Sequence, residues 1–454
     1  MQVIVIGGGI SGLACAFRLK QLGISVVVLE SLGRPGGVIQ SVQEGAFLFE
    51  LGPQSFLATD KLVELIGQLG LQNEFLQADA KAPRYILLNG RLQPAPLVPS
   101  SLLSTPLLSA GAKWRLLTEP FRRSRPPQAD ESIADFVRRK FGTELLDRLV
   151  APFVSGVYAG DPERLSLRAA FPSLHEWESK YGSVIRGAMK SRPEKGKPRP
   201  ALASFRRGVP TLPWTLAQKL GDCFWSNTTL DAIRCEGANG KSGYMLEIIR
   251  SGQALQLKAP AIVLATPTDV ATRILAPVSR VLSQALGKLE YAPVAVVAAA
   301  YRRAQIQQAL DGFGFLVPRA EGLRILGTVW NSSLFPGRAP DGMVVLTSFI
   351  GGATDPQVVS LAEDEIAAIV EKENAQVLRI TGSPAARAVH RYSRALPQYN
   401  LGHSGIMAAL RVELARFPGL FLTGNYLEGP AIGACVDHAF RVADSSRAYL
   451  ESLH

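Results

Sequence analysis

The sequence predicts a multidomain chain of mixed α/β and α+β character, and three observations carry that prediction. A length of 454 residues suggests about three domains at roughly 150 residues each. The N-terminal stretch reads strand, glycine turn, helix, strand, acid, the pattern of a Rossmann-like βαβ unit. Beyond it the pattern turns helical and basic between residues 100 and 190, and strand signals return from Tyr291 onward.

In the first element, Val3-Ile4-Val5-Ile6 runs into Gly7-Gly8-Gly9-Ile10-Ser11-Gly12. Gly7 permits the tight turn, Gly9 lets the backbone approach a pyrophosphate, and Gly12 lets the helix lie close to the strand. Leu13, Ala16, Leu19 and Leu22 then recur at helical spacing, and Val26-Val27-Val28-Leu29 ends at Glu30, placed to accept both hydroxyls of a ribose. At this point the motif says dinucleotide, and NAD fits it as well as FAD.

Composition bounds the rest. Hydrophobic residues make up 47% of the chain and charged residues 19%, so core material is ample. No apolar run approaches the roughly 18 residues of a membrane span. The apolar start lacks a basic leader and a cleavage site, so export is not expected. Cys15, Cys223, Cys235 and Cys435 are scattered without metal-ligand spacing, which predicts reduced thiols and no metal site. The net charge of +11 is concentrated: residues 81–200 hold 21 Lys+Arg against 11 Asp+Glu. Such a field suits an anionic surface or ligand. Nucleic acid is not the expected partner, because the segment lacks aromatics interleaved with basic residues.

After Glu30, Ser31 to Gly37 contains Arg34-Pro35-Gly36-Gly37, then Val38 to Glu44 and Phe47 to Glu50 read as strands. Residues 60–75 read as an amphipathic helix, and Arg84 opens a hairpin with Asn89-Gly90 at its turn. Pro94 to Pro99 is an extended connector. In the helical stretch, Leu102, Leu103, Trp114, Leu117 and Phe121 lie among Lys113, Arg115, Arg122, Arg123 and Arg125, which suits a helix resting on an anionic bilayer. A soluble helical insert with a solvated basic face has the same pattern. Ser191 to Pro200 reads as a mobile loop. A helix is expected around Leu212 to Leu220. Strands are expected at Thr228 to Arg234, Tyr244 to Arg250, Leu255 to Lys258, Ala261 to Leu264, Val294 to Tyr301, Gly314 to Val317 and Met343 to Ile350, with a helix from Leu361 to Ile380. Leu420 to Thr423 and the turn Gly424 to Gly433 form a second strand-to-helix turn, offering another helix N-terminus to a phosphate.

An acid followed by Arg-x-Gly-Gly resembles the flavoprotein superfamily of amine oxidases, phytoene desaturases and protoporphyrinogen oxidases. The resemblance is to the protoporphyrinogen oxidases in particular. It rests on Phe49 to Phe56, Pro152 to Pro162, Ser166-Leu167 with Phe171-Pro172, Gly312 to Pro318, Pro397-Gln398-Tyr399 with Gly402-His403, and the C-terminal Gly-x-x-x-Glu-Gly. It implies a GR2-type FAD-binding domain (1–80, 204–290 and 405–454), an inserted mixed-sheet substrate domain (81–95 and 291–404) and an inserted α-helical membrane-binding domain (96–203).

The resemblance also implies chemistry. Protoporphyrinogen IX would lose six electrons through FAD to molecular oxygen, giving protoporphyrin IX and hydrogen peroxide in haem, and in phototrophs chlorophyll, synthesis. FAD contacts would come from Gly7, Gly8, Gly9, Ile10, Ser11, Gly12, Glu30, Ser31, Arg34, Gly36, Gly37, Gly52, Pro53, Gln54, Ser55, Leu230, Gly424, Leu427, Ile432, Gly433 and Ala434. Arg84 matches the family's propionate anchor, Phe313, Gly314 and Leu316 its loop beside the macrocycle, and Phe349 a residue that sandwiches a pyrrole. Gln54 matches a polar position near flavin and substrate, where it could orient an intermediate but not act as a base. With Asn425-Tyr426 where covalent relatives carry cysteine, the flavin is expected to be non-covalent. The implied location is peripheral, on the cytoplasmic side of a membrane, or soluble in the cytoplasm. Ferrochelatase or another tetrapyrrole enzyme and a second copy of the chain are the implied protein partners. Two rival readings stand: coproporphyrinogen III oxidation, and a catalytically silent flavoprotein scaffold.

Overall fold

The computed structural model describes residues 2–96, 101–122, 124–191, 201–237 and 243–453. The expected connector beyond Ala95-Pro96, the expected loop beyond Ser191, and Arg123 of the basic cluster lie outside the described residues.

Strands β1 (Val3–Ile6) and β2 (Val26–Leu29) are buried at every position, which is why both read as unbroken apolar runs. They sit inside a five-stranded, all-parallel sheet in the order Phe224–Trp225, β2, β1, Ala261–Leu264, Leu420–Leu422. Helices α1 (Ile10–Gln21), Asp60–Gln68, Thr211–Leu220 and Ile432–Glu451 bury one face. A three-stranded antiparallel sheet and helices Thr268–Leu275, Arg280–Gly287 and His403–Leu414 cover the other. Stretches far apart in sequence therefore share one core.

The second large sheet is mixed. Its seven strands run Ala386–Pro397, Tyr291–Arg302, Met343–Gly351, Ile325–Trp330, Gly314–Leu316, Arg84–Leu88, Arg91–Pro94. All neighbours are antiparallel except Gly314–Leu316 beside Arg84–Leu88. Helix Glu363–Leu378 covers one face, and Phe49 and Leu51 pack on the other. Asn89 and Gly90 both have positive φ (51° and 71°), as a tight two-residue hairpin turn requires.

Several elements differ from expectation. The helix begun at Asp60 stops at Gln68, because Leu69-Gly70 turns the chain toward the short strand Phe75–Gln77. The strand expected from Val38 begins only at Ser41, since Gly36-Gly37 holds the preceding residues in a turn. The strands that went unread include the short Phe56–Leu57, Phe75–Gln77 and Phe224–Trp225, as well as Leu202–Phe205, Ile325–Trp330 and the edge strand Ala386–Pro397, whose arginines disguise it.

Between residues 101 and 191 the regular elements described are helices. Their core holds buried charges that must be paired. Lys140 Nζ lies 3.1 Å from Glu119 and 3.3 Å from Glu178. Glu119 in turn accepts bonds from Ser183 Oγ (2.6 Å) and the Val184 N–H (3.0 Å), capping helix Val184–Lys190. This fixes the backbone beside Phe121, whose ring is 80% exposed.

A second buried pair ties the sheets together. Arg338 and Glu50 are both 0% exposed and 3.5 Å apart. Arg338 also donates to Ser204 Oγ (2.7 Å) and the Phe205 carbonyl (3.1 Å). Burial pushes the Glu50 carboxyl up to about 7, against the pull of Arg338 and of bonds from Ser41 and the Val209 N–H. Arg338→Met should therefore destabilise the fold by about 3–5 kcal/mol at neutral pH. Without Arg338 the Glu50 carboxyl would titrate higher still. A raised carboxyl contributes stability at low pH that is lost as pH rises, so the loss should be larger at pH 8 than at pH 5 when read by denaturant midpoints.

Candidate functional site

All strands of the parallel sheet end at one edge, and the turns leaving that edge form a cradle. Gly7, Glu30, Ala265 and Thr423 each follow a strand of it. Gly12 allows α1 to sit against the first turn: a Cβ there would lie 1.9 Å from the Gly7 carbonyl oxygen. At Gly9 a Cβ would meet nothing within 4 Å, and its φ of −73° is ordinary. So Gly12 is required by the protein's own packing, whereas the space beside Gly9 is left for something else.

The acid and the Arg-x-Gly-Gly segment close on this turn. Glu30 is buried and accepts bonds from the Gly8 N–H (2.6 Å) and the Leu32 N–H (2.7 Å), with Ser31 Oγ at 3.3 Å. The Gly36 N–H donates to the Gly8 carbonyl at 2.8 Å. Arg34 arches over the loop, donating to the Gly37 carbonyl (2.9 Å) and Gln40 Oε1 (2.7 Å).

The C-terminal turn completes the cradle. Gly424 and Leu427 lie in it, and Ile432, Gly433 and Ala434 open helix Ile432–Glu451. This helix packs along α1. Ser11 faces the Cys435 thiol, which itself donates to the Gly429 carbonyl (3.7 Å), and Ile10, Ile432 and Cys435 share one core, so the two first turns are side by side. Neither helix has a capping side chain or an acid in its first turn. Two uncapped helix N-termini beside the open space at Gly9 fit a diphosphate. Leu230 lies on strand Thr228–Cys235, whose first N–H donates to the Glu30 carbonyl at 2.8 Å; its side chain is core, and the strand register shifts just beyond it.

The substrate residues named from sequence come together on one face of the seven-stranded sheet. Arg84 pairs with Gly314, and Leu316 pairs with Gly327, which pairs with Phe349. Residues opposite one another project to the same side, so Arg84, Leu316 and Phe349 share a face. Gly327 has no side chain, which lets Leu316 lean into its place, and Gly156 of helix Ala151–Tyr158 leaves room on the other side. The Arg84 guanidinium sits 5.5 Å from the Phe313 ring centroid. It has no carboxylate or hydrogen-bond partner among the described residues, and partial burial lowers its pKa.

Gln54 is placed differently from its expected use. Its amide donates to the carbonyls of Glu50 (3.1 Å) and Gly52 (2.8 Å), and its oxygen accepts from Asn331 Nδ2 (2.7 Å). The amide is engaged within the protein. The flanking Gly52, Pro53 and Ser55 are half-buried at the same turn.

Three residues around the cradle were not foreseen. Asn331 holds Gln54. The Tyr392 hydroxyl accepts from Gln40 Nε2 (3.0 Å) and donates to the Val38 carbonyl (3.3 Å). The Tyr399 hydroxyl donates to the Asn425 carbonyl. None carries a spacing signal, because each acts across more than 25 residues of sequence.

The chain belongs to the family of flavin containing amine oxidoreductases, which it matches over residues 10–445. FAD is its cofactor, and the cradle fits that group. Among its relatives, chloroplast protoporphyrinogen oxidase 1 of Spinacia oleracea is 35% identical, over 98% of this chain and 83% of that protein. The rice chloroplast protoporphyrinogen oxidase is 36% identical over 98% and 88%. Coproporphyrinogen III oxidase of Bacillus subtilis is 30% identical over 99% of both chains. Among solved structures, a protein of Exiguobacterium sp. 255-15 assigned provisionally as a protoporphyrinogen oxidase superposes with a TM-score of 0.82 at 26% identity, over 99% of each chain.

The contrast between the two glycines can be measured. Gly9→Ala should leave the melting temperature of the apoprotein unchanged and weaken FAD binding by about tenfold or more. Gly12→Ala should lower apoprotein stability outright, because the new methyl group overlaps a backbone oxygen. Thermal melts of flavin-free protein and FAD titrations read the two effects separately.

Proposed function

We propose that the protein oxidises protoporphyrinogen IX to protoporphyrin IX, with oxygen as the final acceptor and hydrogen peroxide as the second product. The observation that carries this reading is Arg84, unpaired among the described residues, stacked on Phe313 and sharing a sheet face with Leu316 and Phe349. That face joins an anion anchor to an apolar wall, which suits a greasy macrocycle bearing propionates. Full-length relatives at 35–36% identity named protoporphyrinogen oxidases support it.

Bound flavin supplies the electron-accepting chemistry. The chain's own residues bind and orient. Arginine's planar fork can hold a propionate through two charge-assisted bonds. Leu316 and Phe349 would hold the ring flat and keep water away. Glu30, with both oxygens set by backbone N–H groups, would accept the ribose hydroxyls. Burial pushes the Cys435 thiol up to about 11, leaving it protonated and unreactive near neutrality, which supports non-covalent flavin. In this reading residues 1–80, 204–290 and 405–454 form the flavin unit, 81–95 and 291–404 the substrate unit, and 96–203 the helical unit.

We also place the helical unit on an anionic membrane surface. Trp114, Leu117 and Phe121 are exposed at helical spacing, with Arg115 and Arg122 exposed beside them. Apolar residues flanked by cations suit the headgroup boundary. No helix among the described residues is long and apolar enough to cross a membrane, so the contact is peripheral.

A second reading, coproporphyrinogen III to coproporphyrin III, has the Bacillus relative in its favour. An aerobic fluorescence assay with each porphyrinogen separates the two. The proposal expects protoporphyrin formation to be much faster, and preferential coproporphyrin formation would replace it with the second reading. Bound FAD with turnover of neither would leave a scaffold. Arg84→Ala should raise KM by roughly 10- to 100-fold, matching the loss of charged hydrogen bonds, with FAD content unchanged. An unchanged KM removes Arg84 as the anchor. For the membrane, co-sedimentation with phosphatidylglycerol vesicles should be salt-sensitive and weakened in Trp114→Ser/Phe121→Ser. Wild-type protein left in the supernatant would refute it.

A further inference from the structure

Each flavin-side turn of the cradle is pinned from outside. Gln54 is held by Asn331, the Val38–Gln40 loop by Tyr392, and Asn425 by Tyr399. Two of the three pins, Asn331 and Tyr392, belong to the substrate sheet or follow it directly.

Asn331 has the shortest route to the substrate loop. It follows strand Ile325–Trp330 immediately, and the Trp330 N–H donates to the Phe313 carbonyl at 2.9 Å. Phe313 is the residue on which Arg84 stacks. On its other side, Asn331 Nδ2 bonds to Gln54 Oε1 at 2.7 Å, and Gln54 Nε2 bonds to the carbonyls of Glu50 and Gly52. The Gly52 backbone is packed so closely on the Arg34 loop that a Cβ would lie 2.1 Å from the Val38 carbonyl oxygen. A path of hydrogen bonds, chain neighbours and close backbone packing thus runs from the substrate loop to the flavin cradle.

The chemistry at position 331 argues for a role beyond filling space. Asn331 is 1% exposed, and its Oδ1 has no hydrogen-bond partner among the described residues. A buried acceptor left unmet is unfavourable. If packing were this position's whole purpose, an apolar side chain of the same size would serve at least as well. The amide N–H that reaches Gln54 is what such a side chain lacks.

We propose that Asn331 is a positioning residue for the flavin, acting through Gln54 to lock the Gly52-Pro53 turn against the cofactor. The inference rests on the FAD reading above and extends it to a residue in the substrate half of the molecule.

The test uses Asn331→Leu, Gln54→Leu and the double variant. In Asn331→Leu the apoprotein should melt within a few degrees of wild type, because losing the unmet Asn331 Oδ1 offsets leaving Gln54 Oε1 without its donor. FAD should bind about tenfold more weakly, as expected for one lost buried hydrogen bond, and the visible circular dichroism of bound flavin should change. kcat should fall several-fold while KM stays within twofold. Gln54→Leu should give the same changes, and the double variant should be no worse than either single one, because both break one path. Wild-type flavin affinity and dichroism in Asn331→Leu, or additive effects in the double variant, would overturn the proposal. If Asn331→Leu fails to fold, Asn331→Ala is read against the same outcomes. Wild-type protein that bound no FAD would instead defeat the flavin reading itself.

Discussion

Two helix N-termini set side by side, with no capping side chain and no acid in either first turn, are the constraint on which the rest of the structure depends. Each carries partial positive charge and unpaired N–H groups. Bringing them together is unfavourable until an anion arrives between them. The protein accepts this arrangement by burying both helices in one apolar core, with Ser11 against Cys435 at the contact. A diphosphate bound there would satisfy both ends at once. Because the folded chain binds the cofactor and the unfolded chain does not, FAD should also stabilise the fold by mass action.

That arrangement explains why the parallel sheet draws strands from stretches as distant as Val3–Ile6 and Leu420–Leu422. The second N-terminus is delivered by the last helix, so the chain returns to this sheet after building its other parts. The mixed sheet arises in the interval. Its register matters more than its size. The Arg84–Gly314 and Leu316–Gly327–Phe349 pairings put an arginine, a leucine and a phenylalanine on one face. A slip of one residue in either outer strand would turn its side chains to the helix-covered side. The glycines at 156 and 327, on either side of Leu316, keep that face open to its side chain.

The glycine turn, the acid, and most strands and helices were legible in sequence because their signals are local: a spacing, an apolar run, an Asn-Gly turn. The residues proposed to hold the substrate were named only through family resemblance, since nothing in the spacing of Arg84, Phe313 and Phe349 says that they meet. The misread elements share a physical reason. Ala386–Pro397 is an edge strand whose exposed arginines pair with acids of helix Glu363–Leu378, as in Arg387 with Asp364 and Glu371, and this breaks the apolar alternation. Ile325–Trp330 is short and bulged next to Gly327. Gln54 looked available for chemistry, but its amide is consumed by backbone carbonyls and Asn331. Such tertiary hydrogen bonds leave no mark on sequence periodicity.

If the cradle presents flavin to a porphyrinogen held on the Arg84 face of the mixed sheet, the porphyrinogen should reduce that flavin directly. The most direct measurement is an anaerobic single-turnover experiment in which the purified holoprotein is mixed with protoporphyrinogen IX. The account predicts rapid loss of the oxidised-flavin absorption at a rate that saturates with porphyrinogen, followed by full recovery when oxygen is admitted. A flavin that stays oxidised in the presence of saturating porphyrinogen would contradict it.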